Sequence, residues 1–268
     1  MTLEYINWTA TPEIFTIGGF SLRWYGILFA LGFLIGYFIM QDFFRREKIP
    51  LKILDQLTTY MVIATIIGAR LGHCLFYEPD YYLAHPLEIL KIWEGGLASH
   101  GAAIGILIAL IIFSRRNNVS YWWTLDRIAI VTALAGFFIR MGNLMNSEIF
   151  GKVTDLSWGF IFTRASDPVL STDPRHPTQI YEGLCYLLIF AVLMIIYYKT
   201  NGKFKEGLAI SLFLILVFIT RFFIEFLKEP QVGFEKGMSL NMGQLLSIPF
   251  VLAGTIGLIL IYGRKREN

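Results

Sequence analysis

From Leu208 to Leu227 the chain reads LAISLFLILVFITRFFIEFL, 20 residues of which 208–220 carry no charge. At 1.5 Å per residue such a helix is about 30 Å long, the thickness of the hydrocarbon core of a bilayer. A helix on the surface of a soluble protein keeps its apolar residues to one stripe; here they run all the way round. The stretch predicts a membrane-spanning helix. Its two ionisable residues, Arg221 and Glu225, fall together at the C-terminal end.

Six further stretches share this character: Leu22–Met40, Leu57–Phe76, Leu97–Phe113, Ile128–Met145, Ile180–Tyr198 and Leu245–Tyr262. The 268 residues are 55% hydrophobic and 16% charged, against about a quarter charged in soluble domains. The expected fold is an all-α integral membrane protein, a polytopic bundle of about seven transmembrane helices forming a single membrane domain over 1–268. The third stretch is short and carries Gly101 and Gly105, which predicts a broken or closely packed helix. Gly32 and Gly36 suit close helix approach in the first. That first stretch follows a polar arm without a basic leader, so it reads as a span and not as a cleavable signal. No internal repeat or low-complexity segment interrupts the pattern.

Lys and Arg set the direction. One set of segments holds Arg45, Arg46, Lys48 and Lys52, then Arg115, Arg116 and Arg127, then Lys199, Lys203 and Lys205, then Arg264, Lys265 and Arg266. The other holds Lys91, Lys152, Arg164, Arg175, Lys228 and Lys236 over about twice the length. The positive-inside rule makes the first set cytoplasmic, so the N-terminus is expected outside and the C-terminus inside, in agreement with an odd number of spans. Residues 1–20 form an outside arm whose Trp8, Phe15 and Phe20 suit an interfacial anchor. Residues 147–178, rich in aromatics and proline, form the longest outside segment and predict a small folded cap.

Placed on these oriented spans, the polar residues gather at the outer side. Arg23 and Tyr25 begin the first span, Arg70 and His73 close the second, and His100 opens the third. Arg140, Asn143 and Asn146 end the fourth, just before Glu148; His176, Gln179, Tyr181 and Glu182 open the fifth. Arg221 and Glu225 close the sixth, and Asn241 and Gln244 open the seventh. A charge at membrane depth costs on the order of 3 kcal/mol and is usually paired or functional. Snorkelling would populate both ends of the spans equally, so the asymmetry points to a functional cluster acting on a lipid or lipid-linked substrate.

Within that cluster Arg140 and Arg221 carry the forked donors suited to phosphate. Arg221 and Glu225, four residues apart, also fit a structural salt bridge on one helix. His100 is either a hydrogen-bonded structural residue or a base. Cys74 and Cys185 show neither metal nor disulfide spacing and sit in apolar runs, where a thiol is poorly activated. The four histidines show no ligand pairing, there is no G-x-S-x-G elbow, and a net charge of +3 gives no reason to expect nucleic acid.

The segment Arg140-Met141-Gly142-Asn143-Leu144-Met145-Asn146-Ser147-Glu148-Ile149-Phe150-Gly151 resembles the R-x-G-N-x-x-N-x-E-x-x-G signature of bacterial prolipoprotein diacylglyceryl transferases. The likeness continues in family order along nearly the whole chain: Arg23-Trp24-Tyr25-Gly26, Gly68-Ala69-Arg70-Leu71-Gly72, the segment Gly95 to Gly101 around His100, Arg175 to Glu182, Arg221-Phe222-Phe223-Ile224-Glu225-Phe226, and Met242-Gly243-Gln244. The family often has Gly where this chain has Ile139 and Ser147, and usually Arg where it has Lys228.

The resemblance implies transfer of the diacylglyceryl group of phosphatidylglycerol to the lipobox cysteine of a prolipoprotein, with release of glycerol phosphate and no cofactor or metal. It implies a bacterial cytoplasmic (inner) membrane location, membrane lipids as surroundings, and a site facing the outer leaflet. On that reading His100, Arg140, Arg221, Glu148 and Glu225 are the expected catalytic group. Arg140 and Arg221 stabilise the leaving phosphate, His100 acts as base or orienter, and Glu148 and Glu225 hold the arginines. The arginines could instead lower the thiol pKa directly. Arg140, Asn143, Asn146, Tyr25, Gly151, His176 and Gln244 are the expected substrate-binding set. A transporter would place its site near the midplane and show repeat symmetry; a scaffold would tolerate loss of Arg140 without loss of chemistry.

Overall fold

A computed structural model describes residues 5–18, 20–165, 171–229 and 238–263. Lys236, Arg264, Lys265, Arg266 and the Phe20 side chain, used above for orientation and anchoring, lie outside the described set. The chain divides into two compact units, one built from the chain up to Ile39 and from Asp126 onward, the other from Met40–Leu125.

Among the described residues, seven helices are long and apolar enough to cross a membrane. They are α1 (Trp24–Arg46), α2 (Leu51–Phe76), α4 (Ser99–Asn117), α5 (Tyr121–Met145), α6 (Thr178–Thr200), α7 (Leu208–Ile224, continued by a 3-10 turn to Leu227) and α8 (Met242–Gly263); the protein is multi-pass. Most run past the apolar stretch that announced them, because backbone hydrogen bonding continues where the side chains turn polar. Arg45 and Arg46 in the last turn of α1, Arg115 and Arg116 in α4, and Lys199 in α6 also suit the negative end of a helix dipole.

In the unit from Met40 to Leu125, α4 is an unbroken helix, and its glycines serve packing. A Cβ on Gly101 would fall 2.2 Å from the Gly68 carbonyl oxygen and 2.6 Å from Gly72 Cα, so the α2 and α4 backbones touch. Between these helices lie a short helix α3 (Pro79–Ala84) and two 3-10 turns. Arg70 ties this segment down, donating to the carbonyls of Glu88, Ile89, Gly95 and Gly96. Four of its five N–H donors are thereby engaged, so it braces a loop.

In the other unit, Gly32 and Gly36 of α1 meet Ala135 and Val131 of α5, as the small residues predict. Asp126 of α5 accepts from the Gly207 and Ile210 backbone N–H groups at 2.7 and 2.9 Å, capping α7. Arg127, counted above as a loop charge, is buried; it donates to the Gly202 carbonyl and lies over the Tyr197 and Phe204 rings.

The N-terminal arm is folded into short strands. β1 (Ile6–Trp8) pairs in parallel with β4 (Phe160–Phe162) of the cap, and β2 (Glu13–Ile17) pairs antiparallel with β3 (Phe20–Arg23). Leu22, read as the start of a span, is therefore a strand residue. Trp8 donates its indole N–H to the Leu144 carbonyl at 3.0 Å and packs on Phe160. Together with Phe150 and Phe162 this forms a small apolar core under the cap, which fixes the end of α5.

Candidate active site

Arg140 and Asn143 share one face of α5, and Asn146 follows in the turn just past its end. Arg140 Nη1 donates to Asn143 Oδ1 at 3.1 Å; Asn143 Nδ2 donates to Glu148 Oε1 at 2.8 Å, and Asn146 Nδ2 reaches the same oxygen at 3.1 Å. Glu148 lies beyond the helix end and gets there through a tight reversal. Ser147 and Ile149 on either side both have positive φ, 52° and 59°, a region that costs an L-residue about 1–2 kcal/mol. The strained turn is what folds the carboxylate back onto the asparagines.

α6 supplies the central carboxylate. Glu182 is completely buried, with Oε2 2.6 Å from Arg140 Nε and Oε1 2.8 Å from Lys228 Nζ. Lys228, just past the 3-10 end of α7 and also buried, lies 3.3 Å from Glu225 Oε2. Among the described residues neither Arg140 Nε nor Lys228 Nζ is aligned for a hydrogen bond in these pairs, so the contacts are close ionic approaches. Gly243 at the start of α8 lets the backbone lie against Glu225; a Cβ there would fall 2.4 Å from the carboxyl carbon.

Two assignments made from the sequence change. The carboxylate on Arg140 is Glu182; Glu148 reaches Arg140 only through Asn143. Glu225 pairs with Lys228 and not with Arg221, because Lys228, three residues on, reaches it from the turn. Arg221 is half-buried and, among the described residues, has no ion pair. It nevertheless shares this neighbourhood, since Arg140, Glu182 and Arg221 all lie within electrostatic range of the Tyr186 hydroxyl, which hydrogen-bonds Arg140.

Tyr25 packs on Gly142, where a Cβ would fall 2.7 Å from its ring, and lies within range of Glu148 and Arg140. Gly151 is a crossing point: its N–H donates to the His176 carbonyl at 2.8 Å, and a Cβ would fall 2.6 Å from both the Leu227 oxygen and His176 Cβ. The His176 ring faces Tyr181, 3.4 Å from its hydroxyl, and burial lowers the imidazole pKa below its ordinary value. Gln244 has both ends of its amide engaged by backbone, accepting from Asn241 N–H and donating to the Phe222 carbonyl. With Asn241 Oδ1 accepting from Gln244 N–H, this is a reciprocal helix cap, so the residue shapes α8 and does not present itself to a ligand. His100 belongs to the other unit, where it is exposed in the first turn of α4.

Glu182, Lys228 and Tyr186 are the members that sequence reasoning gave no role. A carboxylate in the first turns of an apolar span requires a cation, and that signal was present for Glu182. Its partner, from another helix, was not legible.

Fold and cluster together define a multi-pass membrane protein with an arginine-bearing polar site set among its spans. The sequence profile of prolipoprotein diacylglyceryl transferase matches residues 12–260, and the chain belongs to that family. Relatives named phosphatidylglycerol–prolipoprotein diacylglyceryl transferase include one from Tolumonas auensis, 51% identical over 94% of this chain and 96% of its own length. Another, from Chloroherpeton thalassium, is 48% identical over 99% and 97%, and one from Porphyromonas gingivalis is 49% identical over 95% and 94%.

Proposed function

We propose that this protein transfers the diacylglyceryl group of phosphatidylglycerol to the lipobox cysteine of prolipoproteins, the first step of lipoprotein maturation. The cysteine sulfur attacks the glyceryl carbon and forms a thioether. The carbon–oxygen bond to phosphate breaks, and its electron pair leaves with glycerol phosphate. Negative charge therefore builds on the phosphate, where a fixed cation is most effective.

The observation that carries this reading is Arg221, a half-buried guanidinium without a carboxylate partner among the described residues, next to a cluster in which Glu182 and Glu225 already have theirs. It is the cation available to a phosphate. Arg140, held from two sides, orients the phosphate or glycerol oxygens with Tyr25, Asn143 and Asn146. Beside Arg221, an apolar groove of about 180 Å³ between α7 and α8, lined by residues including Ile219, Phe222, Phe223 and Ile248, suits an acyl chain. Gly151 and His176, joined by a backbone hydrogen bond, complete the substrate-binding set of this reading. The thiol proton is lost to solvent once the arginines have lowered the thiol pKa, or is taken by a base, the role the family resemblance gives His100. The site faces the outer leaflet of the bacterial cytoplasmic membrane, where it meets lipids and translocated lipobox segments.

The test is reconstitution with phosphatidylglycerol and a lipobox peptide. A thioether adduct with equimolar glycerol phosphate is expected; folded protein that yields neither would sink the activity. Retained turnover in His100→Gln would remove His100 as an obligatory base.

A further inference from the structure

Arg221 and Glu225 stand four apart on one helical turn, the spacing at which an arginine and a glutamate ordinarily pair. In this protein they do not. Glu225 is taken by Lys228 Nζ at 3.3 Å, and the same ammonium lies 2.8 Å from Glu182 Oε1, while the other Glu182 oxygen faces Arg140. All three of Glu182, Glu225 and Lys228 are buried. Two buried carboxylates thus share two cations, and the third cation, Arg221, is left over among the described residues. A lysine suits this place because a compact charge on a flexible stem can face two carboxylates at once, which the planar fork of arginine does less readily.

We infer that Lys228 is a positioning residue. By neutralising Glu225 and bracing Glu182 it keeps Arg221 free for the phosphate of the lipid and holds the carboxylate that orients Arg140. The identity of the lipid rests on the proposed transferase activity; the charge arrangement does not. Without the ammonium, Glu182 and Glu225 share only Arg140. The surplus buried carboxylate, which cannot stay unpaired at low cost, draws Arg221 back along its own helix.

A double-mutant cycle with Lys228→Met and Glu225→Gln tests this. It is read as phosphatidylglycerol binding to purified protein in nanodiscs of neutral lipid, and as kcat and KM with a lipobox peptide. In the parent background Lys228→Met should weaken lipid binding at least about tenfold, seen mainly in KM. In the Glu225→Gln background no surplus carboxylate remains, and the same substitution should change binding by less than about threefold. Lys228→Arg, which keeps the charge, should recover most of the loss caused by Lys228→Met. Equal losses in the two backgrounds would overturn the inference, since they would mean that Lys228 touches the lipid itself or acts only through the fold. Unfolding midpoints of all four proteins identify the second case. Should Lys228→Met fail to fold, Lys228→Gln takes its place in the cycle. Parent protein that binds phosphatidylglycerol but makes no adduct defeats the transferase reading and leaves the binding cycle decisive; parent protein that binds none overturns the inference as well.

Discussion

Arg221 and Lys228 are cations seven residues apart at the same end of α7, and their surroundings give them different tasks. Lys228 is enclosed between two carboxylates; Arg221 is half-buried without one among the described residues. For Arg221 the fork matters, because a phosphate takes two parallel N–H donors from guanidinium and only a point contact from ammonium. Arg221→Lys should therefore lower kcat/KM at least about tenfold, roughly 1.4 kcal/mol of transition-state stabilisation, with the unfolding midpoint unchanged. Turnover within twofold of the parent would show that charge alone is needed there. Ser147 makes the opposite point, that a residue near the site can be ill-suited to its backbone. Its φ of 52° is left-handed and its buried hydroxyl has no partner among the described residues. Ser147→Gly removes both penalties while adding chain entropy to the unfolded state, and the net gain should be about 1 kcal/mol in unfolding stability. A lower midpoint would mean that the serine hydroxyl is satisfied in solution.

The spanning helices were legible in the sequence because uninterrupted apolar runs of this length have few other destinations. Of the glycines that let α2 and α4 touch, Gly101 and Gly105 were legible as marking either a break or close packing, small residues being the means of close approach in membranes, and the structure shows packing. The strands were not: β1 and β4 are three residues each, too short for alternation to show, and they join segments more than 150 residues apart in sequence. The charge pairs failed in the same way. Arg140, Asn143 and Glu148 form a local motif and could be grouped by spacing, whereas the Glu182 and Lys228 contacts depend on three different parts of the chain. Asp126 is a third such case. No local spacing marks it, yet both its oxygens cap the start of α7. Asp126→Ala leaves one buried and one half-buried N–H group at that helix end without their charged acceptor, and should cost about 3 kcal/mol. The check is thermal unfolding in detergent. Because Asp126 lies at the opposite end of α5 from Arg140, activity of the fraction still folded should match the parent.

At the scale of the molecule, burial decides which charges can report orientation. Arg127, Arg175 and Lys228 are buried and used internally, so they carry no weight in a rule about exposed loops. Among the described residues the set expected to be cytoplasmic keeps nine exposed cations: Arg45, Arg46, Lys48, Lys52, Arg115, Arg116, Lys199, Lys203 and Lys205. The opposite set keeps Lys152 and Arg164 exposed, with Arg23 at the end of β3, while Lys91 is half-buried and paired with Glu88. The asymmetry is thus sharper once buried side chains are removed, and it supports an outside N-terminus through the positive-inside rule. Two independent statements meet in one experiment. Between Lys48 and Lys152 the chain makes three spans, α2, α4 and α5, and an odd number places the two positions on opposite sides whichever way the protein faces. The charge rule then says which is which. Single cysteines at 48 and 152, in a background with Cys74 and Cys185 replaced, should be distinguished by a membrane-impermeant maleimide. The cysteine at 152 should label in intact spheroplasts, and the one at 48 only after permeabilisation. Labelling with the sides exchanged would leave the span count standing and reverse the orientation, moving the site to the cytoplasmic leaflet. Labelling of both from one side would remove a span from the count, and with it the parity on which the placement of Arg140 near the outer leaflet depends.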